Sequence, residues 1–258
     1  MQALAIMYHD VVENGDFESS GFPGEGAHVY KLRREDFVRH LDAIAASTQA
    51  VSTVRKLEGR PVLLTFDDGG ASFYSPIADL LESRGWRGHF FITTDRIGTP
   101  AFLSEAQLRD LHRRGHIIGS HSCSHPTRMA ALNRSDLDRE WRQSLERLSG
   151  VLGEPVKTAS VPGGYFSRAV AESAAAAGVQ ALFTSEPKSA VEMVNGCRVL
   201  GRYVVQRGMP PAWSAGFATG SPAYCWRQSA LWKAKRVAKS LGGSRYVALR
   251  EALMNRKG

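Results

Sequence analysis

Apolar residues recur along this chain at two spacings, and the two spacings alternate. Short apolar runs at Ala3 to Tyr8, Val62 to Phe66, His89 to Thr93, Ile117 to Ser120, Thr158 to Val161, Ala181 to Thr184 and Val199 to Val205 read as strands buried on both faces. Segments of helical period lie between them. Phe37, Leu41 and Ile44 mark a helix from Arg34 to Ala46. Ser75-Pro76 supplies an N-cap and first-turn pair for a helix to Arg84, stopped by Gly85. Ser104 caps a helix to Arg114, with Gly115 past its end. A further helix spans Ser135 to Leu148, and Ser167 opens an Ala-rich helix closed by Gly178. This alternation predicts a parallel sheet, either closed as a barrel or doubly wound. One stretch breaks the pattern. Glu13 to Ala27 is rich in Gly, Ser and acidic residues, has no period, and is long enough to suggest a functional loop.

Composition narrows the class. At 258 residues and 43% hydrophobic, the chain can bury the core of one α/β domain. It has no run of 18 apolar residues, so no membrane span is expected. Met1 to Tyr8 lacks the basic and apolar regions of a secretory leader. Cys123, Cys197 and Cys225 are odd in number and widely spaced, which suits a reducing compartment. The expectation is a cytoplasmic protein.

Three stretches carry chemistry, each at the end of a predicted strand, where ligands bind in α/β folds. The first is Asp67-Asp68-Gly69-Gly70. Adjacent carboxylates repel unless a cation sits between them or one keeps its proton. With a metal present, one Asp can coordinate it while the other acts as a base toward water. The same residues also read as a plain Asp-Gly turn. The second is His121-Ser-Cys-Ser-His125. Two imidazoles and one carboxylate make a catalytic metal set that leaves a place for water. Cys123, between them, is expected to point away. The third is Ser160-Val-Pro162-Gly163-Gly164-Tyr165, whose glycines admit close backbone approach to a ligand, or simply make a turn.

Together these residues carry a resemblance. Thr65-Phe-Asp67-Asp68-Gly69 followed by His121-x3-His125 resembles the first two motifs of the polysaccharide deacetylase family, the nodulation-protein-B-like carbohydrate esterases. Met7 to Val11 and Gly115 to His121 resemble the family's opening strand and the approach to its histidine pair. The similarity spans roughly residues 3 to 206. It implies a distorted (β/α) barrel as residues 1–222, followed by a helical tail, 223–258. It also implies a divalent metal, foremost Zn2+ with Co2+, Ni2+ or Mn2+ as alternatives, on Asp68, His121 and His125. Asp67 becomes the catalytic base, and the Gly163 N–H faces the developing oxyanion. Pro162, Gly164 and Tyr165 would contact substrate. The implied reaction removes an N-acetyl group from an amino sugar of a poly- or oligosaccharide or lipid-linked glycan.

Two departures stand out. The family's third motif places an Arg where this chain has Ser160, so either another cation, Arg202 or Arg168, braces Asp67, or Asp67 is less well oriented. The family's last motif supplies a histidine acid, yet no histidine follows His125. His9 is the first replacement, with His28 and Glu186 as further candidates near substrate. His89 and His116 read as structural. A same-fold hydrolase of another amide, imide or acyl ester therefore remains open, as does an inactive glycan-binding protein.

The net charge of +8 belongs to one end. Nine Lys/Arg stand against Glu251 from Arg227 onward, which leaves the first 226 residues formally neutral. No nucleic-acid reader motif accompanies that charge. Ala230, Leu231, Ala234, Val237, Ala238 and Leu241 share one face of a helix from Arg227 to Leu241. Such a helix either packs on the barrel or lies, through residues 227–257, on the anionic inner face of a membrane. The oligomeric state is not legible.

Overall fold

The computed structural model describes residues 1–234. Its framework is a run of parallel strands: β1 (Leu4–Tyr8), β2 (Val62–Phe66), β3 (His89–Ile92), β4 (Ile117–Ser120), β5 (Thr158–Ser160), β6 (Ala181–Phe183), β7 (Cys197–Leu200) and β8 (Arg202–Val204). Their spatial order is β7-β6-β5-β4-β3-β2-β1-β8, with Glu192–Val194 adding an antiparallel edge beside β7. The strands β7 and β8 are one stretch of chain broken at Gly201, yet they pair with opposite ends of the sheet. One residue thus joins the two ends, and the sheet wraps round as a distorted barrel. Gly201 is needed there because a Cβ would stand 2.3 Å from the Glu186 carbonyl oxygen.

The continuous apolar runs follow from burial on both faces. In β2, Val62, Leu64 and Phe66 face the helices, in a core with Tyr8, Phe37 and Phe90. Leu63 faces the barrel interior with Phe91, Phe183 and Leu200. By the two-residue period, Thr65 and Asp67 lie on that interior side.

The helices are α1 (Arg34–Ala46), α2 (Ile77–Glu82), α3 (Glu105–Arg113), α4 (Arg134–Leu152), α5 (Arg168–Ala176) and α6 (Pro211–Thr219). Ser104 forms a full capping box with Gln107, and Ser167 accepts from the Val170 N–H. Two caps differ from expectation. Pro76, not Ser75, is the N-cap of α2 and makes no side-chain bond. Asn133 caps α4 ahead of Ser135, and α4 runs on to a left-handed Gly153. The helix α6 gives no sequence signal because it is apolar on most sides.

Residues 222–234 are helical. Tyr224 and Cys225 pack on the core. The Gln228 amide bonds both the N–H and the C=O of Val204, at 2.9 and 2.7 Å, which covers the outer edge of β8. The first turns of the expected tail therefore dock on the barrel. The face that docks carries Gln228 and Ser229, while Leu231 and Ala234 are exposed. The rest of the expected helix, to Leu241, and of the tail lie outside the described residues.

Candidate active site

Strand β2 delivers Asp67 and Asp68 to the carboxyl end of the barrel, and β4 delivers His121 beside them. Oδ1 of Asp68 lies 3.4 Å from Nε2 of His121 and 3.4 Å from Nε2 of His125. One donor atom from each of the three residues falls within 4.8 Å of the others. A carboxylate oxygen and two imidazole nitrogens converging in this way fit Zn2+, and also Co2+, Ni2+ or Mn2+. Asp68 (φ 89°), Ser122 (φ 65°) and His125 (φ 59°) all adopt positive φ. Each costs roughly 1–3 kcal/mol, and such strain collects where side chains must be aimed.

The charges at this point are coupled. Burial pushes the Asp68 carboxyl up, but hydrogen bonds from His121 and His125 win, and its pKa lies well below the ordinary value. Burial pulls His125 down, and Asp68 more than restores it, so its pKa is raised. The loop that carries both histidines is tied from below by Glu140 of α4. The Glu140 carboxylate accepts the N–H groups of Cys123 and Ser124 and the Ser124 hydroxyl. The Cys123 thiol turns to Asp95, away from the trio, and burial and that carboxylate raise its pKa to about 11.

Asp67 is held from two sides. Arg202 of β8 donates to both its oxygens, at 2.6 and 2.7 Å, and the Ser160 hydroxyl donates to Oδ1 at 3.1 Å. Burial pushes the Asp67 carboxyl up, yet Arg202 and His121 overcome this and its pKa lies below the ordinary value. Arg168 is exposed and pairs with Glu172 instead.

Comparison with known proteins fits this arrangement. Residues 55–182, about half of the chain, match the family model described as polysaccharide deacetylase. The chain carries a polysaccharide deacetylase domain. A peptidoglycan-N-acetylglucosamine deacetylase of Bacillus cereus is 31% identical over 127 residues, covering 48% of this chain and 56% of that protein. YxkH of Bacillus subtilis, which carries the family's name, is 26% identical over 155 residues, covering 60% of this chain and 55% of its own. This chain thus spans about half the length of these curated relatives. Among solved structures, a Streptococcus pyogenes deacetylase in complex with acetate superposes with a TM-score of 0.68 at 18% identity. That match covers 82% of this chain and 96% of the other. IcaB from Ammonifex degensii gives 0.67 at 20% identity, covering 84% and 97%. At such identities the structures speak for the fold.

The matched part of the deacetylase domain contains the trio, Asp67 and the Pro162–Gly164 turn, but neither His9 nor Arg202. The Pro162–Gly164 turn follows β5, with Gly163 (φ 66°) and Gly164 (φ 71°) both left-handed. A Cβ on Gly163 would stand 2.5 Å from the Thr127 carbonyl oxygen, two residues past His125. The third stretch is therefore packed against the second. The Tyr165 ring lies under Arg128. His9, following β1, lies tilted against Tyr30 with ring centroids 4.6 Å apart, and its buried Nδ1 has no hydrogen-bond partner. Burial lowers its pKa, opposed by the charges of Asp68 and Asp67.

Two candidates are held elsewhere. His28 lies 2.7 Å from Glu18 and 3.4 Å from Glu25, against Phe17. Glu186 pairs with Lys188 at 3.1 Å. His89 and His116 are buried, with ring nitrogens bonded to the Leu64 carbonyl and the Glu82 carboxylate respectively, and burial lowers each pKa to about 4.

The long early loop does reach the site. Phe22 packs 4.9 Å from His125 and 5.2 Å from Phe102, with Arg96 over its ring. Nothing in the loop's pattern singled out Phe22. The anchor is Asp10, whose Oδ1 accepts the hydroxyls of Ser20 and Ser72 at 2.6 and 2.8 Å. Gly21 and Gly70 leave the room, since a Cβ on either would overlap the Asp10 carboxylate. Lys31 Nζ bonds the Phe17 carbonyl from the same side. Burial raises the Asp10 pKa to about 6, with Asp68 adding to it and the two hydroxyls and Lys31 opposing. A carboxyl raised on folding favours the folded state while protonated and loses that advantage as pH rises through 6. The melting temperature of Asp10→Asn relative to wild type should therefore climb between pH 4.5 and 7.5. A flat difference across that range contradicts the assignment.

Proposed function

We propose that this chain is a divalent-metal-dependent hydrolase that removes the N-acetyl group from an amino sugar of a glycan. The observation that carries the reading is the Asp68–His121–His125 trio set beside a separately clamped carboxylate, Asp67. A site that only bound sugar would have no use for that second carboxylate.

A divalent ion on the trio would supply a Lewis acid for the amide carbonyl and a more acidic water. Asp67, held ionised by Arg202, takes the proton of the attacking water. The Gly163 N–H is the backbone donor assigned to the carbonyl oxygen as its charge develops. The proton must then reach the leaving nitrogen. His9 is assigned this step because its Nδ1 is buried, unpaired and within the field of both aspartates. Pro162, Gly164, Tyr165 and Phe22 would flank the sugar. His28, set against Glu18 and Phe17, and Glu186, paired with Lys188, would at most border it.

The experiment is acetate release from N-acetylated sugars and oligosaccharides by the metal-loaded protein. Release supports the reading. Metal binding without release from any of them would favour another amide, imide or acyl ester, or a glycan-binding role. In the active protein, His9→Asn should lower kcat by about 10²–10⁴ with metal content unchanged. Unaltered kcat would assign the proton return to Asp67 alone.

A lipid-linked glycan is the variant of this substrate that the C-terminal segment favours. Helical residues 222–234 turn Trp226, 73% exposed, and Leu231, 52% exposed, outward together with Arg227 and Lys233. Among the described residues nothing covers that face, and seven more Lys/Arg follow in the sequence. Exposed apolar side chains interleaved with basic ones suit an anionic lipid surface. No helix among the described residues is long and apolar enough to cross a membrane. Wild type should float with anionic vesicles and not with neutral ones, and the double variant Trp226→Ser, Leu231→Gln should float at least several-fold less. Equal flotation of the two proteins removes the proposal.

A further inference from the structure

Ser160 sits between the base and a metal ligand, and the chemistry of its hydroxyl is constrained. Its oxygen lies 3.1 Å from Asp67 Oδ1 and 2.6 Å from His121 Nδ1. The hydroxyl has one proton to give. Asp67, gripped by a guanidinium, is ionised and can only accept, so that proton points to Asp67. The Ser160 oxygen then offers lone pairs to His121. The Ser160 backbone carbonyl, a pure acceptor, faces the same Nδ1 at 3.2 Å. Two acceptors on Nδ1 require that it carry hydrogen. Nε2, the atom that points at Asp68, is then the nitrogen left to a metal once it gives up its own proton.

Arg202 is fixed just as fully. Nε donates to the Thr184 carbonyl, Nη1 to Asp67 and Thr65, and Nη2 to Asp67. Its guanidinium also lies over the Phe91 ring. It comes from β8, the end strand of the sheet beside β1. Because the cation arrives from there, position 160 is free to hold a hydroxyl.

We propose that Arg202 and Ser160 form one positioning unit with divided work: Arg202 orients Asp67 as the base, and Ser160 sets the His121 tautomer that presents Nε2 to a metal. This rests on the metal-dependent reading above for its catalytic half. The tautomer half stands without any substrate.

The division gives separate signatures. Ser160→Ala removes one of two acceptors from Nδ1 and should weaken Zn2+ affinity about 10–100-fold, read by chelator competition. In the zinc-saturated protein its kcat should fall less than tenfold. Arg202→Lys keeps a cation but cannot bridge both oxygens. It should lower kcat at least tenfold with KM and Zn2+ affinity changed less than threefold. A structural role alone would move metal affinity, kcat and melting temperature together in both variants. Proton NMR of the zinc-free protein adds a direct reading, with a hydrogen-bonded His121 Nδ1–H expected in wild type and weakened or lost in Ser160→Ala. Wild-type zinc affinity and an unchanged Nδ1–H signal in Ser160→Ala would overturn the Ser160 half. Wild-type kcat in Arg202→Lys would overturn the Arg202 half. If wild type hydrolyses no acylated sugar, the affinity and NMR arms still decide the tautomer, so the two failures are distinguishable.

Discussion

Asp67→Asn should reduce acetate release by about 10²–10⁴ or more while one divalent ion still binds. The factor is that of a lost, well-placed general base. Metal binding survives because the donor atoms belong to Asp68, His121 and His125. The variant should also be less stable. Arg202 is fully buried and now faces two carboxylate oxygens; an amide presents it with one oxygen and one N–H. Breaking a buried pair of this kind costs about 3–5 kcal/mol. In a domain of this size that corresponds to a fall in Tm on the order of 10 °C. Steady-state kinetics, metal analysis and a thermal melt on the same preparation separate the effects. A variant with wild-type turnover would remove Asp67 from the chemistry. One that lost its metal together with its activity would mean that Asp67 is a ligand.

His125→Ala should lose the metal. It removes one of three donors, and a two-ligand remnant holds a divalent ion far more weakly. His125 is about a quarter exposed and follows a tight turn in which its own N–H bonds Ser122 Oγ at 3.0 Å. Truncating it should therefore leave the fold intact, with a far-ultraviolet spectrum like wild type and a melting temperature within a few degrees. The measurement is metal content after dialysis, expected near one ion per wild-type chain and near zero for the variant. Equal content in both would mean that the ion sits elsewhere.

The strands and the chemistry at their ends were legible because both are local. The limits of β2 and β4 coincide with their apolar runs, and Asp67, Asp68 and His121 follow directly. Burial on both faces makes such runs continuous, so period and length suffice. Arg202 could be named only as one of two candidates. What distinguishes it from Arg168 is pairing: β8 lies beside β1, two strands from Asp67, although 135 residues separate them in the chain. That is a fact of long-range strand pairing, not of local pattern. Phe22 was hidden for a similar reason. Its loop has no period, and its place against His125 follows from Asp10, Ser20 and Ser72, whose hydroxyl–carboxylate bonds are invisible until the turns are folded. Nothing in the sequence pattern distinguishes Glu140 from the other acids of α4. Its role as anchor of the histidine loop depends on where α4 crosses β4. In the first turns of the tail, Tyr224 and Cys225 pack on the core while Gln228 and Ser229 bond the barrel. Gln228 gains two backbone hydrogen bonds at an open strand edge, and Leu231 is turned outward.

The most direct test strips the purified protein with a chelator and titrates Zn2+ back while acetate release from an N-acetylated oligosaccharide is followed. The account predicts no release by the stripped protein, recovery that saturates at one ion per chain, and no recovery at any zinc level for Asp67→Asn. Acetate release that persists in the fully stripped protein, or that needs none of Asp68, His121 and His125, would contradict it.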